Sequence, residues 1–186
     1  MLLYVNGHEL SAGAGAVNNY VQANDDIHHV TLGNRAHPDN AVHSYGYYLS
    51  RLLNLGFICD ASRKKSNAEI IDQTQSFLKN KLPRLKSQYT VICIELMPKV
   101  DVQKLNQLVE SIKNQKLQYI IFNSQQALPA NAQLTFGNYL DLKDQNQCFS
   151  TWCKNNHHTI QKNLYPTVDT HNAWAKYIFG HMIQEL

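Results

Sequence analysis

The chain reads as an α/β protein, a three-layer α/β/α sandwich around a parallel sheet of four or five strands. Three observations predict this. Short apolar, β-branched runs recur at Leu2 to Val5, Phe57 to Cys59, Tyr89 to Leu96 and Leu117 to Phe122, as buried parallel strands require. The segments between the later runs carry apolar residues at helical spacing. Strand and helix therefore alternate, the order that covers both faces of a parallel sheet. With 186 residues, 44% hydrophobic and 17% charged, residues 1–186 are expected to form one domain around one core.

Taken in order, Leu2 to Val5 is bounded by Asn6-Gly7 and predicts the first strand. Residues 7 to 40 carry Gly, Asn, Asp, His and Pro with little periodicity, a long loop region of the kind that is usually functional or disordered. Val42, Tyr45, Leu49, Leu52 and Leu53 then recur on one helical face, and Gly56 is expected to stop that helix. Phe57-Ile58-Cys59 gives the second strand, ending at Asp60. Ser66-Asn67-Ala68-Glu69 has capping-box spacing, ahead of a face formed by Ile70, Ile71, Thr74, Phe77 and Leu78. Pro83 marks the exit of that helix or a kink in it. Tyr89 to Leu96 is the clearest strand, and Val102, Leu105, Leu108, Val109 and Ile112 build the next helix. Leu117 to Phe122 follows as a fourth strand, then a loop-rich stretch over 124–145. Phe149 to Lys154 fits a short helix, and His171 to Gln184 the last one, with Trp174, Ile178, Met182 and Phe179 inward.

Composition narrows the function. A net charge of +3 is too weak for a sequence-independent nucleic-acid binder, and the aromatic residues do not alternate with basic ones as a stacking platform would. Nucleic acid is therefore not an expected partner. No cationic segment leads into a long apolar core at the start of the chain, so no signal peptide is expected. No apolar run reaches bilayer length, so no membrane partner is expected. The four Cys, at 59, 93, 148 and 153, lack zinc-ribbon spacing, and Cys59 and Cys93 read as small buried hydrophobes in a reduced setting. The adjacent pairs His28-His29 and His157-His158 point to opposite sides of an extended chain and read as solvated loop histidines. Arg63-Lys64-Lys65 precedes a helix start, where anions are favoured, although such a triplet is more often a solvated loop tip.

The chemistry-bearing residues fall into ordered blocks. Gly7-His8-Glu9-Leu10-Ser11-Ala12-Gly13 follows the first strand, Ser62-Arg63-Lys64-Lys65-Ser66-Asn67 follows the second, and Asp169-Thr170-His171 precedes the last helix. Between the first two, His43-Ser44-Tyr45-Gly46-Tyr47-Tyr48-Leu49 forms a helix start. In this order the blocks resemble the SGNH/GDSL hydrolases, whose fold is SGNH-like or flavodoxin-like. The likeness is nearest to a group found in tailed bacteriophage genomes, which opens Val-Asn-Gly-Asp-Ser and closes Asp-Ala-His-x-x-Trp-Ala. Val5-Asn6-Gly7 and Asp169 to Ala175 fit that pattern.

The resemblance also shows departures. His8 stands where the family has Asp, and Glu9 where it has the nucleophilic Ser. Lys64 takes the place of the second-block Gly, while Ser66 and Asn67 match. The third strand ends Ile94-Glu95-Leu96-Met97-Pro98, without the Gly-x-Asn-Asp element that supplies a side-chain oxyanion donor. Acyl transfer needs a nucleophile, a base held by an acceptor and converging donors. Asp169 and His171 would remain as orienting acid and base with no hydroxyl to deprotonate.

The expected site is thus an altered or vestigial one of Glu9, Asp169 and His171, with His8, Lys64, Ser66 and Asn67 as binding residues. No cofactor is implied. His8, Glu9, Asp169 and His171 have the residue types of a metal site, but no HxxxH or HxH spacing supports one, and a Glu9–His171 ion pair is the preferred alternative. A protein partner, such as a virion component, and a place in the host cytoplasm or the virion are what the resemblance implies. The competing expectation is an ester or glycan O-acetyl hydrolase working through Glu9 or His171.

Overall fold

The computed structural model describes residues 1–13, 41–62, 65–125, 148–158 and 166–184. Among the described residues, four strands form one parallel sheet in the order β2-β1-β3-β4, with β1 at Leu2–Asn6, β2 at Gly56–Cys59, β3 at Thr90–Leu96 and β4 at Gln118–Asn123. In register, Val5 lies between Cys59 of β2 and Cys93 of β3, and Cys93 pairs with Ile120 of β4. Every residue of β1 and β3 is buried, which explains their nearly continuous apolar composition.

Helices cover both faces. On one side α1 (Tyr45–Leu52) packs on α6 (Val168–Gln184), and on the other α2 (Asn67–Ser76) packs on α4 (Val102–Asn114). The strand alternation assigns side chains to these layers. Tyr4 stacks on Phe77 with ring centroids 3.8 Å apart, and Asn6 reaches the backbone of α2, so both point to the α2 layer. Val5 meets Gly46 of α1, on the opposite face.

The element boundaries follow from local chemistry. Helix α1 begins at Tyr45, later than the apolar spacing suggests, because Ser44 caps it. The Ser44 hydroxyl accepts from Tyr47 N–H and donates to the Ala41 carbonyl. Val42 and Leu52, expected on its inner face, are each 39% exposed. Gly56 does not end the helix; Asn54 does so, with φ of 53°, and Gly56 opens β2 opposite Leu2. Helix α2 has the full capping box, with Ser66 and Glu69 bonded reciprocally. It runs on through a π turn at Phe77–Lys81 into α3, Leu82–Leu85. Pro83 has no N–H and would crowd the preceding turn; the widened turn, in which Leu82 N–H reaches the Phe77 carbonyl, accommodates it without a break.

Helix α5 spans Phe149–Asn155, and α6 begins at Val168, three residues before His171. Trp174, Ile178 and Met182 are buried, as are Cys59 and Cys93. Trp174 packs edge-on against Phe122 at 5.4 Å, and Phe122 likewise against Tyr45 at 5.6 Å, which joins α6, β4 and α1 into one core.

Asn6 ties the end of β1 to α2 and to the chain that follows β2. Its amide donates to the Ile70 carbonyl and to Thr74 Oγ1, each at 3.1 Å, while its Oδ1 accepts from Gly7 N–H and Lys65 Nζ, each at 2.9 Å. An Asn6→Ala variant should lose about 3 kcal/mol or more of unfolding free energy in urea titrations, because it strands several buried polar groups at once.

Candidate functional site

At the carboxyl edge of the sheet, β1 runs into a tight turn over residues 7–13. Ala12 N–H bonds to the His8 carbonyl at 3.0 Å and Gly13 N–H to that of Leu10 at 3.1 Å. Gly13 has φ of 81°, which favours glycine. His8 and Glu9 are half-buried on this turn, while Leu10 and Ser11 turn inward.

Beneath the turn lies the group that the motif pattern passes over. Glu95, near the end of β3, is 1% exposed, and its Oε2 accepts the Ser11 N–H at 2.6 Å. Burial pushes its carboxyl up to about 7, against the opposing effect of bonds from Ser11 and from the backbone of Leu10 and His8. Ser11 Oγ lies 2.8 Å from Tyr45 Oη, which approaches Cys93 Sγ at 3.6 Å. Ser11 is fully buried within this network, so its hydroxyl is not presented as a nucleophile. Burial pushes the Cys59 and Cys93 thiols up to about 12, which leaves them unreactive. The signal for Glu95 was present in the sequence: a carboxylate inside an otherwise apolar strand must find buried donors.

His171 is completely buried on α6, its ring parallel to that of Tyr45. Its Nδ1 accepts the Tyr45 N–H at 3.1 Å, which requires an unprotonated nitrogen there and satisfies an open donor at the start of α1. In a hydrolytic triad that nitrogen donates to the orienting carboxylate. Asp169 lies two residues earlier on the same helix and is exposed. Residues so spaced do not face each other, and the geometry gives Asp169 no hold on His171. Asp169 instead acts on the half-buried Tyr48, whose hydroxyl is raised first by burial and then by this charge.

The second block is engaged internally. Ser66 N–H and Oγ both donate to Glu69 Oε2, at 2.7 and 2.8 Å, so a carboxylate already occupies this helix start. Asn67 Oδ1 accepts from Met97 N–H and its Nδ2 donates to the Met97 carbonyl, both at 2.8 Å. It thereby fastens α2 to the exit of β3. Lys65, 8% exposed, turns inward to Asn6 and the Asp60 carbonyl. Lys64, Arg63 and the His28-His29 pair lie outside the described residues. His158, expected as a solvated residue, stacks on Trp152 at 4.6 Å. Among the described residues no cluster of three or more His, Cys, Asp or Glu could hold a metal ion, and no helix is long and apolar enough to cross a membrane.

No protein-family model matches the sequence, and no curated protein does. Solved structures do. A lipolytic protein of the G-D-S-L family from Desulfitobacterium hafniense superposes with a TM-score of 0.52 at 11% identity, over 97% of this chain and 98% of that one. An SGNH hydrolase from Slackia heliotrinireducens gives 0.52 at 11% identity, over 98% of each chain. A carbohydrate esterase whose active site displays divergent catalytic and non-catalytic binding functions gives 0.53 at 13% identity, over 98% of this chain and 64% of that one. The chain therefore has the fold of the SGNH hydrolases. Likeness at such identities is a likeness of fold, and this chain spans about two thirds of the esterase.

Gly7 has no room for a side chain: a Cβ there would lie 2.6 Å from Ser11 Oγ and 2.7 Å from Glu95 Cβ. A Gly7→Ala substitution should cost about 1–3 kcal/mol, read as a lowered urea midpoint.

Proposed function

We propose that this protein is a non-catalytic binding module built on the SGNH hydrolase fold. The observation that carries this reading is the bond from Tyr45 N–H to His171 Nδ1. It commits to structure the nitrogen that a triad would use to orient its base. Glu9 in the nucleophile's place and the internally bonded Asn67 point the same way. His8 and Glu9, half-buried on the turn at the carboxyl edge, give that edge a polar character suited to a protein partner. The Val5-Asn6-Gly7 opening and the Asp169 to Ala175 close favour a phage-encoded protein acting in the host cytoplasm or within a virion.

The second reading is a hydrolase of ester or glycan O-acetyl groups with Glu9 or His171 in an altered mechanism. The structural likeness to a carbohydrate esterase favours it. A carboxylate nucleophile would need a partner acid at a set distance, whereas Asp169 is exposed on α6.

Short p-nitrophenyl esters and acetylated xylan separate the two. The expected outcome is hydrolysis that changes by less than about twofold in Glu9→Gln and His171→Asn variants, since a lost member of a working triad costs orders of magnitude. Turnover by the parent that disappears in either variant, with an unchanged circular dichroism spectrum, would overturn the binding reading.

A further inference from the structure

The turn that carries His8 and Glu9 is fastened from below mainly by Glu95. Glu95 Oε2 holds Ser11 N–H at 2.6 Å, and the amides of Leu10 and His8 and the Ser11 hydroxyl add to the same cradle. The absence of a side chain at Gly7 lets the turn come down onto Glu95 Cβ. Other ties to the turn are single bonds, among them those from Ser62 N–H to the Gly7 carbonyl at 3.1 Å, from the Cys59 thiol to the Ser11 carbonyl at 3.5 Å, and between Ser11 Oγ and Tyr45 Oη at 2.8 Å.

We propose that Glu95 is the positioning residue of this turn and that its ionisation loosens the turn, so that His8 and Glu9 are presented in a pH-dependent way. The inference deepens the reading of the turn as the binding surface and rests on it for its functional meaning.

The sign follows from linkage. In the closed turn desolvation is the largest influence on Glu95 and holds its carboxyl at about 7, above the ordinary value of 4.5. Opening the turn admits water and returns the group toward that ordinary value. A group raised in the closed state favours closure at low pH, and that preference fades as pH rises through the closed-state value. The amide cradle lessens the cost of the buried charge without cancelling it. The turn is therefore tightest below about pH 4.5 and loosest above about pH 7.

Among the described residues, no cation of another element is among the groups that act on Glu95. Tyr45 of α1, Cys93 of β3 and Cys59 of β2 feel it as acids, and Phe122, its register partner on β4, is apolar. The turn itself carries His8 and Glu9, and α6 contributes His171 behind Tyr45. Lys65 is directed to Asn6 and the Asp60 carbonyl.

Hydrogen exchange of the amides of residues 8–11 in the full chain, corrected for the intrinsic pH dependence of exchange, tests this. Opening should be about a hundredfold more frequent at pH 8.5 than at pH 4.5, because the opening equilibrium rises about tenfold per pH unit between the open-state and closed-state values of the carboxyl. A Glu95→Gln variant keeps a carbonyl acceptor for Ser11 N–H and should show no such slope. A flat profile in the parent, or the same slope in E95Q, overturns the proposal. If E95Q does not fold, the carbon-13 shift of the Glu95 carboxyl decides. Titration near neutrality in step with the loss of protection supports the proposal, and titration near the ordinary glutamate value overturns it. None of these readouts involves an ester, so failure here leaves the non-catalytic reading standing, and ester turnover leaves the latch standing.

Discussion

A carboxyl group removed from water beneath the first turn, and hydrogen-bonded by the backbone of that turn, determines how this end of the molecule is built. Glu95 can be buried because Ser11, Leu10 and His8 supply donors; those donors converge because Gly7 lacks a side chain and the chain can fold down onto β3. Ser11 then meets Tyr45, and Tyr45 through its backbone meets His171. Turn, sheet and the two helices of one layer are thus coupled through a buried polar network, in which each group depends on its neighbours being satisfied.

That coupling changes the meaning of residues that resemble a catalytic apparatus. The imidazole at position 171 and the amide at position 67 match the motif pattern in sequence, yet both are bonded to backbone groups of the protein itself. Serving as a fixed acceptor for a helix start and serving as a base relay place opposite demands on Nδ1. The same fold can host chemistry or recognition, and here the polar groups at the carboxyl edge are directed largely into the scaffold.

The sheet was legible because buried parallel strands leave a dense local signal: all four observed strands coincide within a residue with the apolar runs. Helix starts were legible where side-chain caps exist, as at Ser66, and misread at α1, where Val42 and Leu52 continue the apolar spacing but face solvent. Helix α6 starts earlier than expected and takes Asp169 into its first turn. The Glu95 network was the least legible part. It joins residues 84 positions apart, and no local periodicity records a bond of that range. Only the oddity of a charge within an apolar strand hinted at it.

The chain contains two tryptophans, and both lie in one aromatic stack: Trp152 of α5 and Trp174 of α6 have ring centroids 4.9 Å apart, with Tyr177 at 5.1 Å from Trp174. Indoles this close couple their electronic transitions, and the His158 imidazole covers a face of one of them. The protein therefore carries a native optical reporter for the docking of α5 against α6. Its ultraviolet dichroism and fluorescence follow tertiary packing without an added label.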